Sequence, residues 1–178
     1  MATYSAPNQG SRAIAVARIA TAVFFLFFGE YKVFGSAFAH GGFQEYLQGY
    51  LNGSAVSFYR PVLANLVLPH AVFFGYLVGV AELFIGISLL LGIYLRAGSI
   101  VGMLHMISLA MATWWEPGHG VPTWRYFGAE LDHLPLLLLF IVFYANDAGQ
   151  TWGLDGWRGR KHENELHSAA QSSAPAAR

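Results

Sequence analysis

Residues 75–96 read GYLVGVAELFIGISLLLGIYLR, an apolar run interrupted by a single carboxylate, Glu82. Gly75, Gly79, Glu82 and Gly86 follow at steps of four, three and four, so on an α-helix they form one stripe. Glycines on a membrane helix admit a second helix at close range. The carboxylate on the same stripe then faces that neighbour rather than lipid. An ionisable group inside such a span is costly and marks a candidate functional position.

The rest of the chain has the same character. Of its 178 residues, 55% are hydrophobic and only 11% charged, against roughly a quarter charged in a soluble domain. Too few charges remain to cover a water-facing surface, and the long apolar runs predict an integral membrane protein in contact with the lipid bilayer. A formal net charge of zero argues against a nucleic-acid partner. The chain contains no cysteine, which removes disulfides and cysteine-ligated iron–sulfur clusters.

Read in order, residues 1–12 form a loose tail and a first span covers about 13–34. Ala37-Phe38-Ala39 has the form of a signal-peptidase site, but Glu30 and Lys32 separate it from the apolar run, so the helix is expected to stay uncleaved. Residues 35–69 make a long, structured first outer loop. Phe43, Tyr46, Leu47, Tyr50 and Leu51 predict a short amphipathic helix at the membrane surface, ended by Asn52-Gly53. Three further spans are expected at about 70–95, 99–115 and 130–145, with the tight turn Arg96-Ala97-Gly98 between the second and third. From Arg158 onward a charged, then Ser/Ala/Pro-rich composition reads as a disordered tail. The expected architecture is all-α: one domain, residues 13–157, built as a four-transmembrane-helix bundle. Seven Lys and Arg fall on the side of the termini and three on the other, so both termini are expected in the cytoplasm of a cell with the chain in its inner (plasma) membrane.

Three membrane-depth side chains attract interest. Arg18 and Lys32 share one stripe of the first span with Ala22, Phe25 and Gly29, whereas Glu30 points to another side. Lys32 lies fourteen residues from Arg18, and Glu82 fourteen from Arg96, each about 21 Å of helix. If the arginines mark one interface, Lys32 and Glu82 lie at equal depth and should pair, since an isolated charge there costs several kcal/mol. His105 is nine residues from Arg96 and is expected about one and a half turns nearer the cytoplasm than Glu82. Lys32, Glu82 and His105 are the candidate catalytic set, because carboxylate and imidazole suit proton transfer. The competing readings are a structural ion pair and a histidine bonded to its surroundings. For Arg18 the alternative is snorkelling to the interface. Arg18, Glu30 and His133 are candidate cofactor contacts. The outer face gathers His40, His70, His119 and His133 with Glu116, Glu130 and Asp132. Glu130 and His133 have helical ligand spacing but no two of the histidines do, so no metal site is assigned.

At these residues the chain resembles the DoxX/DoxD-like family of four-helix membrane proteins. The resemblance rests on Arg18 with Gly29-Glu30-Tyr31-Lys32, on Gly79 to Gly86 and Gly92 to Arg96, and on the exit Gly149-Gln150-Thr151-Trp152-Gly153-Leu154-Asp155. The family is named for a subunit of a thiosulfate:quinone oxidoreductase. The resemblance therefore implies a quinone-associated redox subunit working with a protein partner or as a homo-oligomer, with quinone as the candidate cofactor. The alternatives are a non-catalytic membrane scaffold for a partner complex and a small-solute or proton transporter.

Overall fold

The computed structural model describes residues 8–114 and 132–173, and among them every regular element is helical. Of the residues named above, Glu116, His119 and Glu130 lie outside these ranges. Helix α1 spans Gln9–Phe34, and the Asn8 side chain caps it by accepting from Ser11 N at 2.8 Å. Its buried positions Ala15, Arg18, Ala22, Phe25 and Gly29 recur every three or four residues, which is the stripe read from the sequence.

The connection to the next long helix is itself helical. A π-helical turn at Phe38–Gly42 leads into α2 (Phe43–Gly49), a second π-turn at Tyr50–Ser54, and the short α3 (Arg60–Val62). Leu47 of α2 is buried with Ala55, Leu63, Val67 and Ala112, so this segment packs onto the bundle instead of lying free at its surface. Helical structure continues through Leu63–His70 into α4 (Ala71–Leu91). Pro69 lacks the N–H that would continue the ladder, and His70 leaves helical geometry (φ −119°, ψ 32°). α5 covers Leu95–Thr113, α6 His133–Ala145 and α7 Leu154–Ser173.

Three described helical runs are long and apolar enough to cross a membrane: α1, Arg60–Leu91 and α5. α6 is shorter, at 13 residues, or about 20 Å. Large apolar side chains such as Phe24, Phe27, Phe73, Leu77 and Leu104 are exposed around the outside. Such a girdle suits lipid, not water, and the chain is a membrane protein.

Close packing follows the glycines. A Cβ built on Gly79 would lie 2.8 Å from Lys32 Cβ, and one on Gly102 would lie 2.4 Å from the Phe140 ring. α1 against α4 and α5 against α6 are thus in contact where only a hydrogen fits. Between them a core of Phe25, Ile85, Leu89, Met106, Phe140 and Phe143 is closed from the outside.

The structure corrects the sequence reading at two junctions. The turn after α4 is Gly92–Tyr94, not Arg96-Ala97-Gly98, which belong to the first turn of α5. Gly92 adopts the left-handed conformation (φ 59°) with its N–H on Ser88 O, a helix ending open to glycine at no steric penalty. The stretch after Leu154 is drawn as a helix where composition suggests a loose tail. Asp155 sits in its first turn and Lys161 and Glu165 pair along it at 3.9 Å. Such local terms favour helix in a polar segment.

Candidate functional site

α1 and α4 run side by side so closely that Lys32 and Glu82 meet without an intervening water: Lys32 Nζ donates to Glu82 Oε1 at 2.5 Å. Their side chains are 16% and 6% exposed. The ammonium also lies 5.1 Å from the centre of the Phe38 ring and 5.8 Å from that of Phe28, and aromatic faces attract a cation. From α5, His105 Nε2 reaches the same carboxylate oxygen at 3.2 Å. A carboxylate has no hydrogen to give, so the imidazole N–H donates to it. Glu82 Oε2 is buried and makes no hydrogen bond. A buried acceptor without a donor is expensive and calls for an explanation.

The depth expected for His105 is therefore corrected. Arg96 is not a common helix end for Glu82 and His105, because α4 ends at Leu91 and α5 starts at Leu95. Glu82 is nine residues from its helix end and His105 ten from its helix start. Residues 92–94 turn the chain without adding helical rise, so the two side chains are level.

The cluster faces a cavity of about 620 Å³. Phe24, Phe25, Phe28, Met106, Leu109, Pro135 and Leu136 give it apolar walls, with Lys32, Glu82 and His105 contributing polar groups from α1, α4 and α5 and Asp132 and His133 from the start of α6. His133 Nδ1 lies 3.2 Å from Thr113 Oγ1, whose hydroxyl donates to Leu109 O at 2.9 Å. The Thr113 oxygen then accepts from His133 Nδ1–H. Phe24 and Phe28 are also exposed on the outer surface, so the cavity reaches the lipid side of α1.

Two other sequence candidates stand elsewhere. Glu30 is exposed on a different side of α1. Arg18 is fully buried and does not snorkel. Its guanidinium donates to Leu89 O at the end of α4 and to Trp152 O at 3.2 Å, after α6. Around it, Asp155 Oδ1 and Oδ2 accept from Tyr94 N at 3.1 Å and Leu95 N at 3.0 Å, while Asp155 N donates to Gly92 O at 2.9 Å. Arg96 holds Asp147 through two bonds of 2.6 and 2.8 Å. Arg18, Gly92, Gly153 and Asp155 thus form a clasp that ties three chain segments at the end of the bundle away from Glu82. The Gly-Leu-Asp exit was visible in the sequence, but nothing there paired its Asp155 with the start of α5. Outside both groups, exposed His40 and His70 bond the carbonyls of Ser36 and Leu66 at 3.0 Å.

A family model described as DoxX matches residues 13–115. The chain belongs to the DoxX family. The match includes Arg18, Lys32, Glu82 and His105, so every member of the polar cluster lies inside the DoxX region. Asp147, Gly153 and Asp155 lie beyond it and join it through the clasp. No curated protein and no solved structure matches the chain.

Proposed function

We propose that this DoxX-family chain is a quinone-associated membrane subunit that exchanges electrons with a redox centre on a partner protein. The observation that carries this reading is the cavity: apolar walls, an opening toward lipid, and polar groups from two sides. Its size lies within the range of ordinary small-molecule sites. Lys32 has N–H groups beyond the one on Glu82 to donate to one ring oxygen, and His105 and His133 face the same space. Glu82 Oε2 is an acceptor awaiting a hydroxyl. A bound quinone supplies a couple of two electrons and two protons. Glu82 and His105 hold and pass the protons, and the aromatic walls keep water away from them. The electrons need a partner, because no cysteine is present to hold an iron–sulfur cluster.

We place this site in a four-span bundle, with α6 in the fourth span, residues 13–157 as one domain and residues 35–69 as an outer loop. The termini and the clasp are then on the cytoplasmic side of the plasma membrane, following the seven-to-three distribution of Lys and Arg.

The test is purification in mild detergent, solvent extraction and mass spectrometry for quinone. About one quinone per chain is expected, lost in Glu82→Gln and in Leu136→Trp, which fills the cavity and leaves the ion pair intact. Circular dichroism verifies that both variants remain folded. Quinone no higher than in an unrelated membrane protein would overturn the reading and leave a scaffold whose ion pair only supports the fold.

A further inference from the structure

Glu30 puts a carboxyl group on the outside of α1, level with the middle of the bundle. Its depth follows from its neighbour in the chain. A Cβ built on Gly29 would lie 2.7 Å from Leu83 N. Leu83 stands twelve residues after the start of α4 and eight before its end, about 18 Å and about 12 Å of helix. A carboxyl side chain is too short to reach water from there. The cavity beside Glu82 does not receive it either. Phe28 and Lys32 line that cavity, and each is two residues from Glu30, about 200° around the helix. Among the described residues no side chain bonds Glu30. Ionisable groups at such depth face protein or a water-filled cavity, not lipid, so this face of α1 calls for a protein cover.

The same face has the spacing of a helix seam. Ala13, Val16, Ala20, Val23, Phe27, Glu30 and Phe34 are all exposed and recur at alternating steps of three and four over three heptads. A 3.5-residue repeat keeps two parallel helices in contact along their length. Ala13 and Ala20 let the two backbones approach in the N-terminal half, while Phe27 and Phe34 fill the seam in the other half. Glu30 is the polar position within this otherwise apolar line.

We infer that a second copy of this chain covers this face, α1 against α1, with the two Glu30 carboxyl groups hydrogen-bonded across the seam. Two copies inserted in the same direction are related by a two-fold axis along the membrane normal. Their α1 helices then run parallel, and each seam residue meets its own counterpart. That symmetry selects the polar residue that can sit there. A lysine would meet its like with donors only. A carboxyl pair is self-complementary with a single shared proton, because the O–H of one group donates to an oxygen of the other. Side chains that bond across helices in this way hold membrane helices together. The cavity lies on the opposite side of α1 from Glu30, so the dimer leaves it free and stands independently of the quinone reading.

The experiment is disulfide trapping of the full chain in native membranes, where the absence of cysteine gives a clean background. Single cysteines are placed on the seam, as Ala20→Cys and Phe27→Cys, and at exposed positions of α4 and α5, as Leu77→Cys and Leu104→Cys. The membranes are then oxidised with copper phenanthroline. A disulfide forms only where two Cα atoms come within about 7 Å. Both seam variants should give covalent dimers, and the other two at least tenfold less. In the Ala20→Cys background, Glu30→Leu should cut the trapped dimer at least tenfold. Glu30→Gln should retain it, because an amide both donates and accepts. No dimer at the seam, equal trapping at all four positions, or a yield unchanged by Glu30→Leu would overturn the inference. Seam cysteines trapped only to a different membrane polypeptide would also overturn it and assign this face of α1 to a partner subunit.

Discussion

Replacing Lys32 by methionine should destabilise the protein far more than its loss of contacts suggests, and replacing Glu82 at the same time should restore much of the difference. In Lys32→Met, Glu82 keeps only His105, at 3.2 Å, while its second oxygen already has no donor. Breaking one partner from a buried ion pair costs about 3–5 kcal/mol. The shared histidine and the 16% exposure of Lys32 place this site at the lower end, about 3 kcal/mol. In Glu82→Gln, the ammonium retains the Phe28 and Phe38 rings, which offset about 1 kcal/mol, so about 2 kcal/mol is expected. Lys32→Met combined with Glu82→Gln leaves no buried charge at the pair, and should cost about 2 kcal/mol in total. The coupling is then about 3 kcal/mol, roughly a hundredfold in the folding equilibrium. A neutral hydrogen bond between membrane helices averages about 0.6 kcal/mol and reaches about 1.7 at most, so the measurement separates a charged pair from an ordinary contact. The assay is reversible unfolding in mixed micelles, followed by circular dichroism, for the parent, both single variants and the double variant. Coupling below about 1 kcal/mol would refute the claim that these side chains are charged and mutually dependent in the folded protein.

Three further outcomes follow from the packing and the clasp. Gly102→Ala places a methyl group against the Phe140 ring and should destabilise by about 1–3 kcal/mol in the same assay, whereas Gly49→Ala, with nothing within 4 Å, should be neutral or slightly stabilising. Asp155→Ala removes the acceptor for the Tyr94 and Leu95 amides and should cost about 1–2 kcal/mol; hydrogen exchange at these two amides should quicken, while Asp155→Asn, retaining one oxygen, falls between. The side-chain hydrogen bonds from Arg96, aided by its charge and opposed by partial burial, hold the Asp147 carboxyl below its usual range. A depressed folded-state value means the contribution is present above about pH 4 and lost as pH falls through the folded value. The gap in thermal midpoint between parent and Asp147→Asn should therefore be constant from pH 5 to 8 and narrow near pH 3; a gap that persists there would contradict this assignment.

The parts of the site that were legible in the sequence depend on helical periodicity alone. Repeats of three and four placed Gly29, Gly79, Glu82 and Gly86 on facing stripes, and equal counts of residues from two arginines brought Lys32 level with Glu82. A helix converts sequence distance into depth at a constant rise. For His105 that conversion breaks down, because Gly92 to Tyr94 are not helical and add no helical rise across the turn. That turn is set by Asp155, sixty residues further on from Leu95, and no local pattern announces a contact at that range. Composition and periodicity suffice to make the chain an all-helical membrane protein with a buried charge stripe. The packing of the helices assigns Arg18 to a clasp rather than to the candidate site. It likewise brings His133 into one cavity with Glu82. The physical reason is the same in each case: periodicity assigns a residue to a face of its own helix, but what that face meets depends on how helices far apart in the chain come together.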